Sequence, residues 1–229
     1  MVSHILFDLD DTLWDCAGNS VLSLHKLFEA HDLSRFFESF DNFNRRYQRN
    51  NDILWAGLPD NGKTVAEVRI ERFVMTLDEV GQDGKPFGDR LNEDYMHLMV
   101  KCPGTMPYAE EVLAELSKRY EIDIITNGIS DVQRGKLQAS RLEKYISQIF
   151  VSDEIGAMKP KQEYFDAVMS RLGCPKSSCL VIGDNPTTDI KGATDAGIEA
   201  IWYNWRNAAE DKCQCKAIVR DLRQLCEIL

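Results

Sequence analysis

Three things are scarce in this sequence: a cysteine framework, positive charge and long apolar runs. The seven cysteines, Cys16, Cys102, Cys174, Cys179, Cys213, Cys215 and Cys226, are odd in number and scattered. That pattern argues against a disulfide-stapled extracellular fold and for a reducing cytosol. Only Cys213 and Cys215 stand close together, and with no second pair or nearby histidine to complete four ligands they read as a plain loop. Basic side chains number 27 against 37 acidic ones, for a formal net charge of −10. So acidic a surface repels a polyphosphate backbone, which excludes nucleic-acid polymers and anionic membranes as natural partners. No apolar run reaches the roughly 20 residues of a membrane span. The N-terminal apolar stretch is cut at once by Asp8, Asp10 and Asp11, with no basic stretch before it, so no signal peptide is expected and a cytoplasmic location fits. Internal repeats and low-complexity segments are also missing.

What is present is ordinary for a soluble globular chain of 229 residues: 44% hydrophobic and 28% charged side chains. His4-Ile5-Leu6-Phe7 reads as a strand that ends in carboxylates, and Ile122–Ile125, Cys179–Ile182 and Ala200–Tyr203 are similar, with Gln148–Val151 a weaker fifth. Helical spacings separate them, as in Val112, Leu113 and Leu116 after Pro107, and Phe165, Val168, Met169 and Leu172 after Pro160. Alternation of this kind predicts a Rossmann-like α/β/α core with a parallel sheet, in which ligands bind outside the carboxyl ends of the strands.

Residues from about 15 to 100 break the alternation and read as helices only. Phe36, Phe40, Phe43, Tyr47 and Leu54 form a stripe, with Asn50 and Asn51 on or beside it. Thr64 with Glu67 is a capping box, with Val68, Phe73, Leu77 and Val80 behind it. Gly57 to Gly62 and Gly81 to Gly88 read as turns. The expected organisation is a core of residues 1–14 and 101–229, with residues 15–100 as an all-helical cap inserted after the first strand. An insert leaving the first strand there is expected over the carboxyl edge of the sheet.

Four motifs fall at predicted strand ends. The first is Asp8-Leu9-Asp10-Asp11-Thr12-Leu13. Of two carboxylates one residue apart, one can attack phosphorus while the other protonates the leaving oxygen and then activates water; a solvated surface turn explains the motif equally well by itself. Thr126-Asn127-Gly128 offers a hydroxyl and an amide to a phosphoryl oxygen, or is an ordinary turn. Lys159, before Pro160, can neutralise a nucleophile and a transferring phosphoryl group, or be a solvated lysine. Gly183-Asp184-Asn185-Pro186-Thr187-Thr188-Asp189 brings two more acids to the same edge. With Asp8 and Asp10 they make four carboxylates at one crevice, a donor set that calls for a hard divalent cation such as Mg²⁺.

In this order, the motifs resemble those of the haloacid dehalogenase superfamily of phosphohydrolases, over nearly the whole chain. The resemblance implies that Asp8 forms an aspartyl-phosphate and that Asp10 is the general acid/base. It implies that Asp8, Asp184 and the backbone carbonyl of Asp10 bind Mg²⁺, with Asp189 supporting the metal or orienting Lys159. Leu9, Thr126, Asn127 and Lys159 would hold the phosphoryl group. Thr188 departs from the asparagine frequent in relatives, which puts one minor hydrogen bond in doubt. Dehalogenases of the superfamily lack the second aspartate, so Asp10 favours phosphoryl transfer.

Within the helical-cap members, the chain resembles most the noncanonical pyrimidine nucleotidases. The cues are Asn51 with Leu54-Trp55, then Arg72-Phe73, and Trp202-Tyr203-Asn204. An asparagine on an apolar stripe is costly to bury without a partner, and a pyrimidine edge offers one. Trp55 can stack on a base or fill a core; Arg72 can bind an oxygen of the substrate or pair with Glu71 or Glu67. The expected activity is a Mg²⁺-dependent 5′-nucleotidase on pyrimidine nucleoside monophosphates, in a monomer or homodimer. The alternatives are a sugar-phosphate or other small-metabolite phosphatase, a phosphomutase of the β-phosphoglucomutase type, or a non-enzymatic binder on the same fold. His4, His25, His31 and His97 fall in no motif.

Overall fold

The computed structural model describes residues 2–58, 62–210 and 213–229. Its strands are β1 (His4–Phe7), β2 (Glu121–Thr126), β3 (Gln148–Val151), β4 (Cys179–Gly183), β5 (Glu199–Tyr203) and β6 (Ala217–Val219). They form one sheet in the order β3-β2-β1-β4-β5-β6, and every pairing is parallel. Near-continuous apolar runs such as Leu180–Ile182 are what a parallel strand covered on both faces requires. The first strand to be made is thus a central one, with Phe7 level with Ile124 on one side and Ile182 on the other.

The helices are α1 (Cys16–Ala30), α2 (Phe40–Gly57), α3 (Val65–Asp78), α4 (Lys85–Met99), α5 (Ala109–Leu116), α6 (Ser130–Ser140), α7 (Ser152–Ile155), α8 (Gln162–Leu172), α9 (Lys191–Asp195) and α10 (Gln224–Ile228). The chain divides into two compact units, Met1–Cys16 with Pro103–Leu229, and Ala17–Cys102. The first holds the sheet. One face of the sheet packs Leu6, Ile125 and Val181 against Phe165, Val168, Ile190 and Ala193. This is an α/β core of Rossmann-like type, and the described elements of the second unit are helical. No helix among the described residues is long and apolar enough to cross a membrane.

The helical unit is built from amphipathic faces. α2 buries Phe43, Tyr47, Asn50 and Leu54, and Asn50 satisfies its amide on the Thr76 hydroxyl of α3 at 3.2 Å. The stripe begins one residue later than its spacing predicts: Phe37 is buried and Phe36 is not, because α2 starts only at Phe40, behind the Ser39 N-cap. The Thr64–Glu67 capping box is complete in both directions. The expected turn at Gly81–Gly88 is cut short, since α4 already runs from Lys85. Pro86 sits in its first turn, where a missing N–H costs nothing. Gly88 is there for packing: a Cβ at this site would lie 2.7 Å from Val74 Cγ2 of α3. The other expected turn, Gly57 to Gly62, falls largely outside the described residues. The sixth strand, β6, was not expected; three residues are too short for a periodic signal.

One buried ionisable pair lies in the sheet away from the motifs. His4 Nδ1 and Asp123 Oδ2 are 2.9 Å apart, and Asp123 is fully buried with its Oδ1 unpartnered among the described residues. Burial raises the Asp123 pKa above the usual carboxylate value, against the opposing pull of His4. A raised carboxylate pKa means the folded state holds the proton longer, so stability falls as pH climbs from about 4 through the raised value. Urea melts from pH 4 to 7 should show wild type losing stability relative to Asp123→Asn as pH rises. Parallel profiles would refute the buried-carboxylate account.

Candidate functional site

The site begins in the turn that ends β1. The Asp8 N–H bonds Ile182 O at 2.8 Å, continuing the ladder one residue beyond the strand. The chain then doubles back: Leu9 O accepts the N–H groups of Leu13 and Trp14 at 3.0 and 2.9 Å, and Asp11 takes a left-handed φ of 61°. This return buries Thr12 completely and aims its hydroxyl at the neighbouring strand end. The Thr12 hydroxyl donates to Asp8 Oδ2 at 3.2 Å and accepts the Asp184 N–H at 3.0 Å. Leu9 buries its side chain, so only its backbone can face a ligand.

Lys159, 2% exposed, reaches the crevice from the segment before α8. Its ammonium donates to Asp8 Oδ1 at 2.7 Å, to Asp189 Oδ1 at 2.7 Å and to Ile125 O at 3.0 Å. Asn127 fixes the base of that lysine, accepting the Lys159 N–H at 2.9 Å and donating to the Lys159 carbonyl at 3.0 Å. Asn127 thus holds Lys159 through its side-chain oxygen and one of its two amide hydrogens. Thr126 ends β2, with its hydroxyl bonded to the Gln133 amide.

Asp189 arrives by a single π-helical turn, Pro186–Ile190, capped by the Asn185 side chain. It also accepts the Asn185 N–H at 3.0 Å and lies directly on Gly183, where a Cβ would come within 2.3 Å of its carboxylate. The glycine of that motif is thus a matter of close approach. Thr188 bonds Asp189 Oδ1 at 3.3 Å. Carboxylate oxygens of Asp8, Asp184 and Asp189 all lie within 4.8 Å of one another.

Asp10 does not join that trio by its side chain. Its carboxylate is held by Lys136 at 2.7 and 2.8 Å and by Gln133 at 3.1 Å. Lys136 is 4% exposed and lies over the Trp14 ring, 4.6 Å from its centroid. Gln133 and Lys136, three apart on α6, present one face to the crevice. The sequence alone did not single them out; buried polar residues at helical spacing just after Thr126-Asn127-Gly128 were the available signal. Arg206 is a second addition. It bonds Asp184 at 2.6 Å and Asp11 at 2.7 Å from a loop beyond β5, with no local pattern to announce it. Trp202, on β5, donates its indole N–H to Asp184 O at 2.8 Å.

The electrostatics are those of excess negative charge. Asp8, Asp11, Asp184 and Asp189 share two cations, Lys159 and Arg206. Burial first, then Asp189 and Asp184, push the Asp8 pKa well up, against the pull of Lys159. Burial and the neighbouring Asp189 and Asp11 raise Asp184 to about 7. Burial alone would discharge Lys159, but Asp189 and Asp8 outweigh it and hold the ammonium charged. Crowded hard oxygen donors that resist ionising together are a fit for Mg²⁺, which would lower all their pKa values at once.

The residues singled out in the helical unit also meet. Arg72 Nη1 donates to Asn51 Oδ1 at 3.0 Å, not to Glu71 or Glu67, whose partners are Lys63 and Thr64. Its guanidinium is 4.9 to 5.6 Å from the ring centroids of Tyr47, Phe73 and Tyr95. Trp55, one turn beyond Asn51, is half-buried.

The chain is similar to known proteins. The family model of haloacid dehalogenase-like hydrolases matches residues 2–197. The chain is 32% identical over 203 residues to the HAD-hydrolase YfnB of Bacillus subtilis, covering 87% of this chain and 83% of that one. A magnesium-bound crystal structure of YfnB superposes with a TM-score of 0.90, at 30% identity over 100% of this chain and 98% of that one. Pyrimidine 5′-nucleotidase PynA of Streptococcus pneumoniae is 30% identical over 202 residues, with coverage of 87% and 83%. Phosphoserine phosphatase of Thermus thermophilus is 34% identical over 182 residues, with coverage of 76% and 72%. The four motifs on one sheet edge lie inside that matched span, and the chain belongs to the haloacid dehalogenase-like hydrolases, as an enzyme acting on phosphoric monoesters.

Proposed function

We propose that the protein is a Mg²⁺-dependent phosphomonoesterase that works through an aspartyl-phosphate on Asp8, with pyrimidine nucleoside 5′-monophosphates as substrates. One observation carries the chemistry: Asp8 and Lys159 are in contact at 2.7 Å while Asp10, two residues on, stands free of the Asp8–Asp184–Asp189 trio. The nucleophile and the acid/base thus have separate environments, as a two-step transfer requires.

Asp8, Asp184 and the Asp10 carbonyl would hold the metal, with Asp189 behind them. When bound, Mg²⁺ supplies charge neutralisation for attack on a phosphate dianion. Asp8 attacks phosphorus in line, and the ester oxygen leaves with a proton from Asp10. The Asp10 carboxylate then takes a proton from water, which attacks the aspartyl-phosphate and frees Asp8. Lys159 and the Thr126 hydroxyl steady the phosphoryl oxygens, and Asn127 keeps Lys159 in place. Lys136 and Gln133 position Asp10.

The pyrimidine reading is supported by PynA, a relative of that named activity. Asn51, Trp55 and Arg72 are the residues proposed to read the organic part of the ester. A small-metabolite phosphatase is the second reading, favoured by the phosphoserine phosphatase that is 34% identical over a shorter span.

Asp8→Asn should keep the fold, by circular dichroism, and lose turnover of a chromogenic phosphate ester; near-wild-type rates would refute the nucleophile. EDTA should abolish activity and added Mg²⁺ restore it. Lys136→Met should lower kcat by about 10- to 100-fold with little change in KM, a part of what acid/base catalysis contributes. A steady-state screen of nucleoside monophosphates, sugar phosphates and phosphoserine should rank UMP, dUMP or dTMP first. A flat profile, or another class at the top, would overturn the pyrimidine assignment but not the mechanism.

A further inference from the structure

The sheet edge that carries Asp8 and Asp184 continues past β5 and β6 into a second concavity. It has a volume of about 380 Å³ and is walled by Tyr108, Tyr203, Trp205, Arg220, Asp221 and Leu222, all within the core unit. Small-ligand sites span about 300–1,000 Å³, and in open α/β sheets they lie beyond the carboxyl ends of the strands. Nothing in the catalytic account uses this space.

The wall has a definite chemistry. One buried donor on it lacks an acceptor among the described residues. The Trp205 Nε1–H is shielded from solvent and unpartnered. Tyr203, 3% exposed, lines the same wall. Burial, reinforced by Asp221 and Asp184, pushes the Tyr203 pKa up to about 12, so the hydroxyl is a neutral donor. An unmet buried donor is costly, and a native site keeps one where a ligand or water completes it. Asp15 adds a carboxylate to the wall, while Arg220 and Asp221 are already matched. Arg220 pairs with Glu210 and bonds Asn207 Oδ1 at 3.0 Å, and Asp221 pairs with Arg223 at 2.6 Å. A strongly charged ligand would have to break those pairs. Three aromatic rings with the unmet Trp205 donor and the Tyr203 hydroxyl instead suit a flat, uncharged molecule with acceptor oxygens. The Trp205 ring is held for such a role by Arg206, whose guanidinium lies 4.0 Å from its centroid and also bonds Asp184.

We infer that this cavity binds a neutral planar heteroaromatic ring whose carbonyl oxygens accept from Trp205 Nε1 and the Tyr203 hydroxyl, as a nucleobase does. The ring has two possible sources: the organic part of a substrate, or a separate nucleoside. The inference concerns binding alone and does not rest on the reading of the catalytic site.

Uridine is the probe, because it carries the ring and its carbonyls without a phosphate to engage Lys159. Calorimetric titration of the full chain with uridine should show one saturable site. Trp205→Phe keeps a ring and removes the donor, and should weaken binding by about 3- to 10-fold. Tyr108→Asn keeps the left-handed backbone at φ 64° and removes a half-exposed ring, and should weaken it by about 5-fold or more. The tyrosine variant decides the matter if the tryptophan variant does not fold. Absence of saturable binding at millimolar uridine overturns the inference, and so does unchanged affinity in the folded variants. Inhibition of p-nitrophenyl phosphate hydrolysis then separates the sources: competitive inhibition assigns the cavity to the substrate's own ring, and noncompetitive inhibition to a second ligand.

Discussion

Lys159 is buried among carboxylates, and the rest of the core is arranged to make that tolerable. An ammonium out of water is costly unless its partners are close and well aligned, and removing one partner leaves an uncompensated charge. Here its three bonds go to three different strand ends, through Asp8, Asp189 and the Ile125 carbonyl. Each partner is itself fixed from behind. Thr12 braces Asp8, the Asn185 N–H braces Asp189, and Asn127 clamps the lysine backbone from both sides. The sheet is the instrument of this precision, since only a parallel, fully covered sheet brings so many chain segments to one edge in fixed register.

Negative charge in surplus at that edge is as informative as the contacts. A stability-driven core would replace such a cluster with apolar side chains at no loss, so its presence points to chemistry. The helical unit shows the contrasting solution for a single buried cation. Arg72 has no carboxylate partner among the described residues and is instead wrapped by three aromatic faces and the Asn51 amide.

Much of the core could be read from the sequence because its signals are local. A strand that ends in Asp8-Leu9-Asp10 is visible as an apolar run meeting acids, and so is the one that ends in Gly183-Asp184. The Thr64–Glu67 capping box is likewise a pattern of four residues. What escaped was whatever depends on distant meetings. Arg206 reaches Asp11 across nearly the whole chain, and nothing around it marks the encounter. The clamp of Asn127 on the Lys159 backbone had no signal in the spacing of either residue. For Arg72 the sequence offered a substrate oxygen or a neighbouring glutamate, whereas its partner Asn51 lies on another helix. β6 is too short to carry a period, and Phe37 displaced Phe36 because a cap, not the stripe, sets where α2 begins.

Trp14 pairs with Thr105 as an antiparallel bridge, with Met106 bonding Leu13 O at 2.9 Å and Asp15 bonding Gly104 O at 3.2 Å. These few bonds draw together the chain that leaves the core and the chain that returns to it. For folding, the consequence is one of timing. β1 is a central strand made first, yet its neighbours β2 and β4 are separated from it by the whole helical unit, a loop whose closure carries an entropic cost. Once the four helices have formed by their own local contacts, that long span acts as a short tether. The late strands then find β1 as near neighbours, and a topology slow to assemble on paper becomes accessible to a chain emerging from its N-terminus.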